Sequence, residues 1–236
     1  MIAQVTKFES CQPSPRDLLR ESHHRITNHL SLLAAMIRTQ NAAIKSGPAT
    51  LTRESAAGVL NEISANVVAM AHLHRQFVRQ PDCATIGLAD LLIESCSEMM
   101  TSLALKERVR FRHTLKSACE IDADEASSLM LLLSEVVMNA IKYAHPDGSL
   151  VEIDVSCLLT ADGHPAIAIS DNGVGLPAGV DDRHGGGAGF RIIRALAQKL
   201  HASLSIESSN LGVSFQLLLP ARAPHVETQE RLRAVG

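Results

Sequence analysis

Leu129-Met130-Leu131-Leu132-Leu133-Ser134-Glu135-Val136-Val137-Met138-Asn139-Ala140-Ile141-Lys142-Tyr143-Ala144 is the stretch from which the fold can be read. Leu132, Leu133, Val136, Val137, Ala140 and Ile141 return with the 3.6-residue period of a helix that buries most of its surface. Glu135 and Asn139 stand four apart, with Lys142 and Tyr143 three and four further on, so all four share one face. A solvated edge on an amphipathic helix accounts for such a stripe. So does one wall of a polar cleft. In a cleft Asn139 offers an oxygen to Mg²⁺, a cation that prefers oxygen ligands. Glu135 would then accept a proton or hold a metal-bound water, while Lys142 and Tyr143 face phosphate or sugar.

Downstream, Val151, Ile153, Val155, Cys157 and Leu159 alternate with Glu152, Asp154 and Ser156, the clearest strand pattern in the chain. Shorter alternations run over Ile167 to Ile169, Leu204 to Ile206 and Val213 to Leu219. Asp171-Asn172-Gly173-Val174-Gly175 follows the second of these strands directly. Glycines two apart admit close backbone approach to a ligand, and Asp171 at a strand end suits an exocyclic amine; an ordinary Asn-Gly turn reads the same way. Gly185-Gly186-Gly187-Ala188-Gly189 then opens a helix running to His201. Unpaired N–H groups at a positive helix end suit phosphate, although a flexible linker has the same composition. The irregular segment Leu176 to His184 between the two loops is placed to act as a lid. The phosphate loop G-x-x-x-x-G-K-[ST] is absent, and the glycines do not follow the first strand of a βαβ unit as a Rossmann fingerprint requires.

Upstream, Ile86 to Ala104 reads as a helix, and Val109, Phe111 and Leu115 read as a half-buried strand. Helices mixed with hairpin-like strands over residues 85–220 predict a two-layer α/β sandwich. Residues 15–80 differ in texture. Ile26, Leu30, Leu33, Ile37 and Ile44 form one apolar stripe, and Val59, Ile63, Val67, Met70, Leu73 and Phe77 another. Ser46-Gly47-Pro48-Ala49-Thr50 breaks the helix between them. Two long helices joined by a short turn make an antiparallel hairpin. A lone hairpin buries too little, so the expectation is a homodimeric four-helix bundle, with packing against the rest of the same chain as the alternative. Residues 1–14 read as an N-terminal tail, 81–84 as a hinge and 221–236 as a flexible tail.

The chain has 236 residues, with 22 Lys plus Arg against 25 Asp plus Glu, a formal charge of -3. That balance argues against nucleic-acid binding. With no Trp, one Tyr and five Phe, the core is aliphatic. Five cysteines at 11, 83, 96, 119 and 157 form no C-x-x-C pair, which fits a reducing compartment rather than a disulfide or zinc framework. The longest apolar run, Leu129 to Ile141, is broken by Ser134, Glu135 and Asn139 and falls short of a membrane span. Met1 to Ser10 lacks a signal-peptide core. The expectation is a cytoplasmic protein with no membrane partner.

In this order the pieces resemble the ATP-binding domain of the GHKL superfamily of gyrases, heat-shock chaperones, mismatch-repair ATPases and histidine kinases. Leu133 to Ala144 resembles the N box, Asp171 to Gly175 the first glycine box, Gly187 to Gly189 the second, and Leu211-Gly212-Val213-Ser214-Phe215 the third. The resemblance implies the Bergerat-type α/β sandwich and ATP with Mg²⁺. It implies that Asn139 binds the metal, Glu135 assists phosphoryl transfer and Asp171 recognises the adenine amine. Lys142, Tyr143, Gly173, Gly175 and Gly212 would line the nucleotide, and Gly187 to Gly189 would cradle its phosphates.

Within the hairpin, Arg20-Glu21-Ser22-His23-His24-Arg25-Ile26-Thr27-Asn28 resembles the phosphoacceptor box H-R-x-x-N of the second class of histidine-kinase dimerisation domains, related to the H-W-E group. His24 matches the acceptor. It lies about 160° around the helix from Ile26, so it points away from the bundle interior, with Asn28 on the same face. Neutral imidazole is abundant near pH 7 and attacks without a strong base. His23 lies beside the apolar stripe in a supporting place, and His29 reads as a surface residue. Thr27 stands where the family commonly has a basic residue. The resemblance as a whole is to a bacterial sensor histidine kinase core. It implies phosphorylation of His24 from Mg·ATP, with Glu135 and Asn28 as further catalytic residues, then transfer to a response-regulator receiver domain. Whether a separate sensor protein supplies the stimulus is left open. A phosphotransfer adaptor or a response-regulator phosphatase with the same fold and little use of ATP is the alternative.

Overall fold

The computed structural model describes residues 15–47, 50–79, 85–105, 107–115, 119–177 and 187–221. Two long helices come first, α1 (Pro15–Ser46) and α2 (Arg53–Arg79). Gly47 ends the first, its N–H bonding back to the Ile44 carbonyl at 3.1 Å. Thr52 caps the second: its hydroxyl accepts from the Ser55 N–H at 3.1 Å and satisfies one of the free donors of the first turn. The expected N-terminal tail at 1–14, the expected hinge at 81–84, the expected flexible tail at 221–236 beyond its first residue and most of the expected lid lie outside the described residues.

The second layer begins with β1 (Thr85–Gly87), α3 (Leu88–Ser102), β2 (Val109–Leu115), β3 (Glu120–Asp122) and α4 (Ala123–Tyr143). It continues with β4 (Val151–Leu159), β5 (Pro165–Asp171), α5 (Ala188–Lys199), β6 (Ser203–Ser209) and β7 (Gly212–Leu218). Five strands pair in the order β2-β4-β5-β7-β6, and β1 pairs separately with β3. Only β2 and β4 run parallel; the remaining pairs are antiparallel. The period of two decides which face meets the helices. Val151, Ile153, Val155 and Cys157 of β4 are buried with Ile167 and Ile169 of β5 and Val213, Phe215 and Leu217 of β7. Glu152 and Asp154 stand on the other face, where Arg110 reaches Glu152 at 2.9 Å and Arg112 grips Asp154 through two bonds of 2.8 and 2.6 Å. Helices α3, α4 and α5 cover the apolar face, giving the two-layer sandwich expected from the alternation.

The stripe residues divide between two surfaces: Met70 and Leu73 are buried within the chain and Leu33 is half-buried. Leu30 is 61% exposed and Val67 49%, with Ile37 also turned outward. Helix α1 instead buries His29, Met36 and Gln40, and α2 buries Glu62, Ala65, Asn66, Ala69 and Leu73. The physical reason is that α2 lies along α4 of its own chain. Two alanines on that side admit close approach between the helices, and the polar residues beside them find partners on α4. His29, expected on the surface, is 6% exposed.

Candidate functional site

Helix α4 brings its polar stripe to the junction of α2 and α5. Acidic Asp124 and Glu125 in the first turn and Lys142 in the last suit the helix dipole. Glu135 is 1% exposed. Its Oε1 accepts from the Asn66 amide at 2.9 Å, while Oε2 is buried with no hydrogen-bond partner. Burial pushes its carboxyl up from an ordinary value of 4.5 to about 7; the Asn66 bond opposes this, the nearby Glu62 charge adds to it, and Lys142 opposes it. Asn66 is fixed from its other end by the Ser134 hydroxyl, which donates to its carbonyl oxygen. Lys142 pairs with Glu62, whose second oxygen accepts from Gln40 at 2.8 Å. The stem of Lys142 passes over Gly58, where an added Cβ would stand 3.3 Å from its Cε.

Asn139 is half-buried one turn beyond Glu135, and its Nδ2 has no partner among the described residues. Gly189, at the start of α5, sits directly over it. A Cβ there would lie 3.3 Å from both carboxamide polar atoms and from Glu135 Oε2. Gly187 caps α5 with extended backbone and open space beside it. Glu135, Asn139, Lys142 and Gly189 are thus brought together. Tyr143, the next residue along α4, is 63% exposed.

A second corner forms where β5, the β6–β7 hairpin and the end of α4 meet. Asp171 Oδ1 accepts from the Gly173 N–H at 2.8 Å and the Val213 N–H at 3.3 Å, leaving Oδ2 without a hydrogen bond among the described residues. Two glycines make the corner possible. At Gly173 a Cβ would lie 2.4 Å from the Ala144 Cα, and at Gly212, with φ of +125°, it would lie 1.9 Å from the Asp171 carbonyl oxygen. Gly175 abuts Ser209 in the same way, and the adjoining Leu176 N–H bonds the Ser208 hydroxyl at 2.8 Å. Asn172 ties the corner to β4 through the Glu152 N–H at 2.9 Å and to His145 at 3.0 Å.

These residues fit a nucleotide with Mg²⁺. The backbone cradle holds a carboxylate with one oxygen available, and an oxygen-bearing carboxamide with an unpartnered amide stands beside a buried carboxylate. In the hairpin, Asn28 is exposed on α1, one helical turn beyond position 24. The side chains of His23 and His24 lie outside the described residues, although α1 itself runs through both positions and packs against α4 and α5. The sequence reading missed Glu62 and Asn66. Their helical positions looked like ordinary polar ones, and only the long-range packing of α2 on α4 shows what they touch.

The fold and site define a helical hairpin joined to an ATPase-type sandwich. Residues 124–223 match the family described as histidine kinase-, DNA gyrase B- and HSP90-like ATPase, and residues 21–103 match a histidine kinase family. Together the two matches are those of a sensor histidine kinase core, its helical module and its ATPase module in tandem. It is 25% identical over 211 residues to the blue-light-activated histidine kinase 2 of Erythrobacter litoralis, covering 86% of this chain and 56% of that protein. It is 24% identical over 216 residues to the sensor histidine kinase PdtaS of Mycolicibacterium smegmatis, covering 89% of this chain and 41% of that one. The chain therefore spans roughly half the length of these relatives. Among solved structures, the histidine kinase domain of the Erythrobacter litoralis EL346 blue-light-activated kinase superposes with a TM-score of 0.65 at 23% identity. That match covers 87% of this chain and 93% of the other, and it shows the shared fold. No helix among the described residues is long and apolar enough to cross a membrane.

Proposed function

We propose that this chain is a protein-histidine kinase that phosphorylates His24 from ATP and passes the phosphoryl group to an aspartate of a response-regulator receiver domain. The observation that carries the reading is the pairing of two half-sites: the Asp171 corner, which only glycines can build, and the Glu135–Asn139 face beside it. Asp171 Oδ2 accepts from the adenine amine. The free N–H groups at Gly187 to Gly189 and the Lys142 ammonium meet the phosphates. Mg²⁺ held by Asn139 supplies charge neutralisation on the triphosphate.

In the transfer, a ring nitrogen of His24 forms a bond to the γ-phosphorus as the bond from that phosphorus to the β–γ bridging oxygen breaks, and ADP leaves. The proton lost from the imidazole passes to Glu135, whose affinity near pH 7 suits a base at that pH. Asn28 orients water when phosphate is removed from the regulator. The hairpin joins two copies through Leu30, Ile37, Leu60 and Val67, which the chain leaves exposed. Residues 15–80 act as the dimerisation and phosphotransfer module, 81–84 as the hinge and 85–220 as the nucleotide domain.

One observation favours a second reading, an adaptor that relays phosphate between receivers without ATP: Glu135 and Lys142 are engaged by α2. Incubation with γ-labelled ATP and Mg²⁺, followed by a receiver domain, separates the two. The kinase reading predicts acid-labile label that is lost in His24→Ala and Asn139→Ala and retained in part in His23→Ala. Reversible uptake from a phosphorylated receiver, with none from ATP, supports the adaptor instead.

A further inference from the structure

The face of α4 assigned to the triphosphate is already in use. Asn66 holds Glu135, and Glu62 holds Lys142, so both charged groups of that face are bound by neighbouring turns of one hairpin helix. On this face α2 buries Ala65, Ala69 and Leu73 along with the two polar residues, while its larger exposed apolar side chains are turned away. Leu60 and Val67 lie on the opposite side of α2, in solvent, while Glu62 and Asn66 are buried. Buried polar pairs of this kind recover little more than their desolvation costs, which makes the contact exchangeable for another partner. The contrast with the adenine end is sharp. The Asp171 corner is built by its own strands and glycines, and the hydrogen bonds that fix it come from Gly173 and Val213, not from α2. Further along α2, His72 lies 3.4 Å from Glu94 and 3.3 Å from Glu98 of α3, and Arg75 pairs with Glu98, so the helix has a second polar seam on the same domain.

We propose, resting on the kinase reading above, that α2 is a self-inhibitory cover: Asn66 and Glu62 occupy Glu135 and Lys142, and the hairpin competes with a nucleoside triphosphate for them. Docking of α2 lowers affinity for the triphosphate, and the triphosphate lowers affinity for α2 by the same factor. The adenine end stays outside the competition. A stimulus that pulls on the hairpin then switches the enzyme on by freeing two side chains, without having to build the site.

The test compares wild type with Asn66→Ala, which removes the hold on Glu135, and Ala69→Leu, which wedges α2 from α4 without touching a charge. Each is first shown to fold by circular dichroism. Titration calorimetry with Mg²⁺ and a non-hydrolysable ATP analogue is expected to show binding about tenfold tighter in both variants. Adenosine, which has no phosphates, binds all three proteins alike. In wild type, the analogue speeds hydrogen exchange at the amides of residues 62–73. Unchanged analogue affinity in both folded variants, with unchanged exchange, overturns the proposal while leaving the kinase reading intact, and so does an equal gain for adenosine. Failure of every protein to bind the analogue overturns the kinase reading itself and the cover with it.

Discussion

At the scale of single residues, the proposed chemistry centres on Glu135. Its carboxyl binds a proton more tightly in the folded chain, near pH 7, than at the ordinary 4.5 of an unfolded one. Between those values the folded state holds more protons, so stability falls as pH rises from 4.5 to about 7 and is flat above. Glu135→Gln keeps an acceptor for Asn66 and cannot ionise. Thermal melts should therefore show the variant more stable than wild type at pH 8, by an amount on the order of 2–3 kcal/mol, and equal to it near pH 4. The same substitution should cost most of the phosphorylation rate, so stability and activity move in opposite directions. Gly212 makes the complementary case. Gly212→Ala places a methyl group against the Asp171 carbonyl in a left-handed conformation, at a cost of at least about 1–3 kcal/mol. It should also weaken adenosine binding measured by calorimetry.

Among elements, α4 and β4 were readable because burial and period coincide in them. Leu132 to Ile141 could only be an interior helix, and Val151 to Cys157 only a strand with one covered face. The corner was readable too, since Asp171-Asn172-Gly173 follows a strand and no other residue fits where Gly173 meets Ala144. Strands β1 and β3, three residues each, carry too few alternations to show a period, and Ile86 and Gly87 read as the start of a helix instead. The polar contacts of the hairpin were not legible, for a different reason. Leu30, Ile37 and Val67 are apolar at helical spacing, yet tertiary packing buried Gln40, Glu62 and Asn66, each of which finds a polar partner across a sequence gap that no local pattern reports. The seam between α2 and α3 belongs to this scale. His72→Ala removes a buried ring from between Glu94 and Glu98, and hydrogen exchange should show faster opening of α2 while the Asp171 corner keeps its protection.

For the whole molecule, one helix of the hairpin serves two surfaces. Its alanine-lined side covers the sandwich, and its exposed leucine and valine side is where the proposed dimer would pair. Light scattering should report a dimer for wild type and a monomer for Leu30→Arg combined with Leu60→Arg, with adenosine binding retained in both. The claim on which everything else depends is that phosphate from ATP ends on one imidazole of α1. The direct measurement is mass spectrometry of peptides cut at alkaline pH after brief exposure to Mg·ATP. The account predicts a single phosphohistidine at His24, absent from Asn139→Ala. Phosphate on His23, or tight ATP binding with no phosphohistidine anywhere in the chain, would contradict it.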